Sequence, residues 1–154
     1  MAACSIGVYS AVVRVRVQTA AALRALAAEE PIPLIVAGDC MSPLLRTGER
    51  IRVQGARLYL PGDIIAFRHR GGQLLVHRVL GYFFGRRGVG IVAKGDNLSC
   101  ADQPAGLESI LGRVVDCDGR TVTIPSRRRW RAAVDFARTL VRRTVRPWAS
   151  AISS

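Results

Sequence analysis

The stretch GDIIAFRHRGGQLLVHRVLG, residues 62–81, decides how this chain folds. Two apolar runs, Asp63–Arg68 and Gln73–Gly81, flank the dipeptide Gly71-Gly72. Short runs rich in Ile, Val, Leu and Phe read as strands, and Gly-Gly supplies the positive-φ conformations of a tight hairpin turn. The same grammar extends in both directions. Leu34–Ala37, Arg50–Gln54, Gly90–Lys94, Leu111–Asp116 and Arg120–Ile124 are further strand candidates. Turn signals at Thr47-Gly48, Pro61-Gly62 and Asp118-Gly119 separate several of them, the last reading as a second hairpin. Many short strands so spaced predict a mostly antiparallel sheet that coils or closes toward a barrel.

The ends of the chain differ from this body. Residues 8–18 (VYSAVVRVRVQ) alternate over a short range and predict a strand. Residues 19–30 (TAAALRALAAEE) have helical composition and are stopped by Pro31 and Pro33. The tail, from Ser126, has helical spacing. Trp130, Val134, Ala137, Val141, Val145 and Trp148 share one face, Arg131, Arg138, Arg142 and Arg146 lie to the other side, and Pro147 is expected to kink or end the helix. The expected organisation is an N-terminal strand and helix extension (1–30), a β domain (31–125) and a basic amphipathic helix (126–154).

A chain of 154 residues that is 49% apolar buries a core of its own, so wholesale disorder is excluded. The formal charge of +12 is concentrated in the tail, where residues 126–154 hold eight Arg against one Asp. The four cysteines (Cys4, Cys40, Cys100, Cys117) form no C-x-x-C pair and only two histidines accompany them. That pattern argues against a structural zinc site and a disulfide scaffold, and no metal or cofactor is called for. Arg14, Arg16 and Arg24 interrupt every apolar run near the start, so neither a cleavable signal peptide nor a membrane span is evident. The expected location is cytoplasmic, peripheral at the inner membrane face if the tail binds lipid.

Chemistry concentrates in three segments: GDCMSP (38–43), LVHRVLG (75–81) and KGDNLSCADQP (94–104). The first is a tight turn with a thiol at its apex. Taken alone, Cys40 reads as a small packing residue, since buried cysteines are common and inert. A thiol is also a good nucleophile once an adjacent imidazole takes its proton, and His77 has a pKa suited to that work. A carboxylate on the other ring nitrogen would fix the tautomer and stabilise the imidazolium, and both Asp96 and Asp102 are candidates.

In this order the segments resemble the S24/S26 peptidase superfamily, and within it the signal peptidase I family. Gly38, Met41 and Pro43 match the G-x-S-M-x-P nucleophile motif, and Pro61, Gly62 and Asp63 match a following P-G-D. The VHRV of 76–79 and the K-G-D-N of 94–97 resemble the endoplasmic-reticulum and archaeal type, whose base is a His rather than a Lys. The resemblance spans residues 34–116 and departs at one position, where Cys40 replaces the family's Ser. It implies a β-rich α+β domain, a coiled β-sheet of the signal-peptidase/LexA type with terminal helices. It also implies a peptidase in which Cys40 is nucleophile, His77 the base and Asp102 the triad acid, with Asp96 supporting. Gly38, Met41 and Ser42 would line the substrate and oxyanion region, where the Cys40 backbone N–H is the obvious donor. The family favours small residues before the cleaved bond. The expected partner is a peptide or protein precursor, bound as an added strand.

Blander roles suit the other candidates. Ser42 follows Met41, whereas the motif puts the nucleophile before it, so Ser42 is expected to cap a turn. His69 sits in a basic, Gly-flanked hairpin, and Lys94 suits ion pairing better than base catalysis. Cys4, Cys100 and Cys117 are expected to be non-catalytic. The tail suits an anionic membrane surface or packing on the β domain about equally, and nucleic acid less well. The competing hypothesis is an inactive peptide-binding pseudopeptidase tethered to the membrane surface by that helix. A self-cleaving repressor is disfavoured, because residues 1–30 leave too little room for a helix-turn-helix.

Overall fold

The structure, a computed structural model, describes residues 13–85 and 88–149, with residues 142–149 described by backbone alone. Its core element is one curled, antiparallel sheet, half of a barrel, with a helix from each end of the chain. In order the elements are α1 (Val17–Glu29), β1 (Ile32–Ile35), β2 (Arg50–Gln54), β3 (Ile64–Arg68), β4 (Leu74–Gly85), β5 (Gly88–Lys94), β6 (Ala105–Gly106), β7 (Ile110–Cys117), β8 (Arg120–Thr121) and α2 (Ser126–Ala149). The sheet runs β1-β2-β7-β3-β4-β5-β6, with β8 paired on β7. The hairpin of residues 62–81 forms as read, with Ile65 opposite His77 and Arg68 opposite Leu74. β3 lies in the middle of the sheet, and its residues Ile64 to Phe67 are all buried. That is why it reads as a continuous apolar run instead of an alternating one.

The differences from expectation have local causes. Most of the strand expected over 8–18 lies outside the described residues. Within them, residues 13–16 contribute a single bridge, Arg14 to Gln73, before α1 begins at Val17. β1 starts at Ile32 in spite of Pro33, which an edge strand tolerates because the missing N–H faces away from the ladder. β4 continues four residues past Gly81, where the sequence reading ended it. Gly81 is a packing device rather than a terminus: a Cβ there would lie 2.7 Å from the Phe136 ring of α2. β6 is a two-residue strand that no sequence pattern announces, and β8 pairs only at Arg120 and Thr121.

α2 forms where expected, with Pro147 in its last turn, but it packs through a different face. Ala132 is buried, and it and Phe136 lie on Leu80 and Val92 of the sheet. The stripe marked apolar in the sequence points outward, Trp130 being 73% and Val141 59% exposed. The slot at Gly81 draws in the Phe136 side. Val145 and Trp148 lie outside the residues whose side chains are described.

The main core lies between α1, β1, β2 and β7, and holds Met41, Leu45, Ile51, Val53, Ile64 and Leu111. α1 joins it through small residues, Ala20 and Ala27, which let backbones approach closely. At Gly55, which donates to the Ala27 carbonyl at 2.6 Å, a Cβ would meet Ala28 at 2.9 Å. Cys40 belongs to the edge of this core.

Candidate active site

The turn bearing Cys40 is set by its neighbours. Gly38 has φ of 89°, in the region that disfavours side chains, and its carbonyl accepts from the Thr47 hydroxyl at 2.9 Å. Met41 is wholly buried, and its carbonyl accepts the Leu44 and Leu45 amides at 3.0 and 3.1 Å. With Met41 drawn into the core, Cys40 is held at the core's rim. The Ser42 amide closes the turn on the Asp39 carbonyl at 2.9 Å, a backbone bond where a side-chain cap was expected. The Cys40 thiol points to the Val76 carbonyl on β4, 3.9 Å away.

Successive residues of a strand face opposite sides, and β4 uses that alternation to build two different centres. His77 is 1% exposed, with its ring edge-on to Phe67. Its Nδ1 is 2.5 Å from Asp102 Oδ2, while Nε2 is buried and makes no hydrogen bond. Burial is the largest single influence on this imidazole and lowers its pKa. Hydrogen bonding to Asp102 and the nearby Cys40 thiol, with the charges of both, outweigh burial and raise the pKa to about 9. Cys40 and Asp102 thus act on one ring from two elements.

Arg78 faces the other way. Its Nε and Nη2 donate to the two oxygens of Asp96 at 2.7 and 2.6 Å, and Nη1 donates to the Gly62 carbonyl at 2.7 Å. A bidentate fork of this kind saturates a carboxylate. Asp96 is therefore committed to Arg78, with Arg128 of α2 at 4.0 Å, and the structure does not bring it to His77. Lys94 lines the small cleft that contains Arg78, Asp96 and Asp135, away from Cys40. His69 stays in its hairpin, where its Nδ1 accepts the Gly71 amide at 3.2 Å.

The loop after β5 ties both centres to the thiol's turn. The Asn97 amide donates to the Cys40 carbonyl at 2.9 Å, and the Asp102 amide to the Ala93 carbonyl at 2.9 Å. Gly95 permits this contact, since a Cβ there would lie 2.8 Å from the Cys40 carbonyl oxygen. Asp63 of the P-G-D turn is buried and does structural work. It accepts the Leu60 amide at 2.9 Å and pairs with Arg129 at 3.0 Å and Arg113 at 3.6 Å, fastening α2 and β7 to the turn.

A groove of about 630 Å³ has Cys40 and Arg50 in its lining. Pro33 to Ala37 form one wall, Leu74 to Val76 the other, and Met41 contributes to the lining. β1 is an open sheet edge there, and β4 is open beyond Leu74, whose amide donates to the Val13 carbonyl at 2.9 Å beside the Arg14–Gln73 bridge. On β4 the peptide groups of odd-numbered residues bond to β3 and its turn, as in His69 N–H to Gln73 O and Val79 N–H to Asp63 O, so those of Leu74 and Val76 face the groove. On β1 the same alternation pairs Val36 with Glu49 of the adjoining loop and turns Ile35 outward.

Glu49, Cys117 and Asp118 form the one cluster with metal-ligand potential among the described residues. Burial, then hydrogen bonding to Glu49, pushes the Cys117 thiol up to about 11, so it keeps its proton. The Arg46 and Arg50 amides already occupy Glu49 and Asp118. That donor set fits a hydrogen-bonded turn better than a metal.

Sequence reasoning missed Arg78, Asn97 and Val76. Arg78 was accessible in principle, because the residue after a buried His on a strand faces the opposite side, and a buried Arg needs a carboxylate. Asn97 and Val76 act through backbone atoms, which leave no side-chain signature. No protein-family model and no curated protein matches the chain.

Proposed function

We propose that this chain is a peptidase of the S24/S26, signal peptidase I-like type, with a Cys40–His77–Asp102 triad. The observation that carries the reading is the shared imidazole: Asp102 holds Nδ1 at 2.5 Å, and Cys40 acts on the same ring from the lining of an open groove. A peptide would enter as a strand between the edges at Ile35 and Val76. His77 carries the thiol's proton as an imidazolium near neutral pH, and the Cys40 thiolate attacks the carbonyl carbon. The Cys40 amide, which has no acceptor among the described residues, is placed to donate to the developing oxyanion. The imidazolium then protonates the leaving amine, and water, deprotonated by His77, releases the acid from the thioester. Asp102 keeps the ring in its working tautomer, and Asp96 supports the loop through Arg78.

The test is alkylation of the full chain by iodoacetamide near neutral pH, followed by mass mapping of Cys40, with Cys40→Ala as the blank and His77→Gln beside it. Activation predicts labelling at least tenfold faster than an ordinary exposed thiol, and loss of that excess in His77→Gln. Labelling at the ordinary rate sinks the peptidase reading and leaves the inactive peptide-binding module.

A second property rests on α2. Its exposed stripe of Trp130, Ala137 and Val141 lies among Arg127, Arg131 and Arg138, an arrangement that suits an anionic membrane surface. No described helix is long and apolar enough to cross a membrane. Flotation with anionic liposomes should recover the protein at low salt and lose it in Trp130→Ser. Equal recovery on neutral liposomes removes this idea.

A further inference from the structure

We infer that Arg50 is a specificity residue: the groove takes a mainly apolar peptide segment that carries one acidic side chain, and Arg50 pairs with that carboxylate. The inference rests on reading the groove as the peptide site and names the class of peptide it selects.

Among the described residues that line the groove, Arg50 alone carries a fixed charge. Strand pairing puts it there. On β2 it lies directly opposite Ile35 of β1, and residues paired in this way carry their side chains on one face of the sheet. Ile35 and Arg50 are both exposed on that face. The backbone of Arg50 is fixed, since its amide donates to Asp118 Oδ1 at 3.0 Å and its carbonyl accepts the Asp118 amide at 2.8 Å.

The guanidinium, by contrast, is uncommitted. None of the described residues forms an ion pair with it. The neighbouring carboxylates serve other groups. Asp118 Oδ1 holds the Arg50 amide, and Glu49 accepts the Arg46 amide at 2.7 Å and pairs with Arg120 at 3.6 Å. Arg52, next along the same face of β2, lies opposite Asp116 and outside the groove lining. One arginine has a carboxylate across the ladder; the other has the groove.

Ladder geometry shows which substrate residue Arg50 meets. The peptide group of Ile35 is turned to the groove, because Val36 is the residue bonded to the Glu49 side. A strand added there presents the side chain of its residue opposite Ile35 on the face shared by Ile35 and Arg50. These three residues form one row across three strands. Strands lie about 4.8 Å apart, so the ends of the row are separated by about 9.6 Å. An arginine laid over Ile35 keeps its aliphatic stem on an apolar neighbour and its charged head toward the third strand. A glutamate reaching back closes the remaining gap and can accept two hydrogen bonds from the guanidinium fork. The rest of the lining is apolar apart from the Cys40 thiol, which suits apolar side chains at the flanking positions.

The experiment uses the full chain with Cys40→Ala, which binds without cleaving. The probes are acetylated, amidated hexapeptides of Ala and Val in which one Glu is moved through every position, each with a Gln twin. Dissociation constants are measured by NMR titration. At one position Glu should bind about fivefold more tightly than Gln, as befits a partly exposed ion pair, and Arg50→Gln should bring that ratio to about one. Arg52→Gln removes the same charge from the same strand face and should keep the parent ratio. That control separates a local pair from the general attraction of a +12 chain for acids. A peptide without Glu but with a free C-terminal carboxylate should bind like the Gln twins. An unchanged ratio in Arg50→Gln, an equal loss in Arg52→Gln, or no Glu preference at any position overturns the inference. So does an Arg50-dependent gain shown by the free C-terminus alone. If the Glu preference depends on Arg50 while Cys40 of the unsubstituted chain labels at the ordinary thiol rate, acidic selection stands and the peptidase reading falls.

Discussion

His77 and Arg78 are neighbours on β4, and each meets an aspartate from the loop after β5, yet the two pairs do opposite things. Arg78 and Asp96 satisfy each other with two short hydrogen bonds, and the guanidinium's remaining reach goes to Gly62. His77 and Asp102 satisfy one ring nitrogen and leave the other buried and unpaired beside a thiol. The first pair holds the loop; the second holds a proton that has somewhere to go. A permanently charged partner makes a carboxylate structural, whereas a titratable one makes it useful for proton transfer.

The largest expected effect breaks the second pair. On the proposed peptidase reading, Asp102→Asn should cut peptide turnover by about 10⁴-fold while leaving the fold intact, since the amide favours the wrong tautomer. A loss under tenfold, measured with a peptide the parent cleaves, would remove Asp102 from the triad. Asp96→Asn acts on the first pair. It leaves the Arg78 charge buried with one side unpaired and should cost about 3 kcal/mol in urea unfolding. A cost below about 1 kcal/mol would mean that Arg78 finds water or another acceptor.

A sharper comparison uses pH. The folded pKa of His77, about 9, lies above the unfolded value near 6.5. The imidazolium therefore stabilises the fold fully below about pH 6.5, and that contribution is lost as pH rises through about 9. Two-dimensional NMR of the ring should follow the titration. In Asp102→Asn burial dominates, so the ring's pKa should fall below 6.5, and the stability lost between those pH values should go with it. A titration unchanged by the substitution would show that Asp102 does not hold the proton. Asp96 does not reach His77, so Asp96→Asn should leave the shape of the His77 titration unchanged. The smallest effect belongs to Ser42, whose amide rather than hydroxyl closes the turn. Ser42→Ala should shift stability by less than about 0.5 kcal/mol and leave Cys40 labelling as it was.

Much of the β body was legible because its strands are short apolar runs set off by Gly-containing turns, as in residues 62–81. Gly81 misled for a physical reason: in sequence a glycine marks an end, while in the sheet it is a vacancy shaped for Phe136. α2 misled in the same way, since helical spacing identifies an apolar stripe but not which stripe a neighbouring surface will accept. At the site, the order Cys40, His77 and two aspartates was visible, and the resemblance favoured Asp102 for the ring. Which carboxylate meets which base depends on Arg78 capturing Asp96. That capture depends on alternation along β4 and on a loop conformation secured by Gly95 and Asn97.

The contact between Asn97 and the Cys40 carbonyl bears on the biosynthesis of the chain. The thiol reaches a carbonyl 36 residues away, and His77 reaches a carboxylate a further 25 residues along. None of these meetings is local, so a nascent or unfolded chain carries Cys40 as an ordinary cysteine. Any reactivity above that baseline exists only once the whole domain has closed around it. The rate at which Cys40 is modified therefore reports folding.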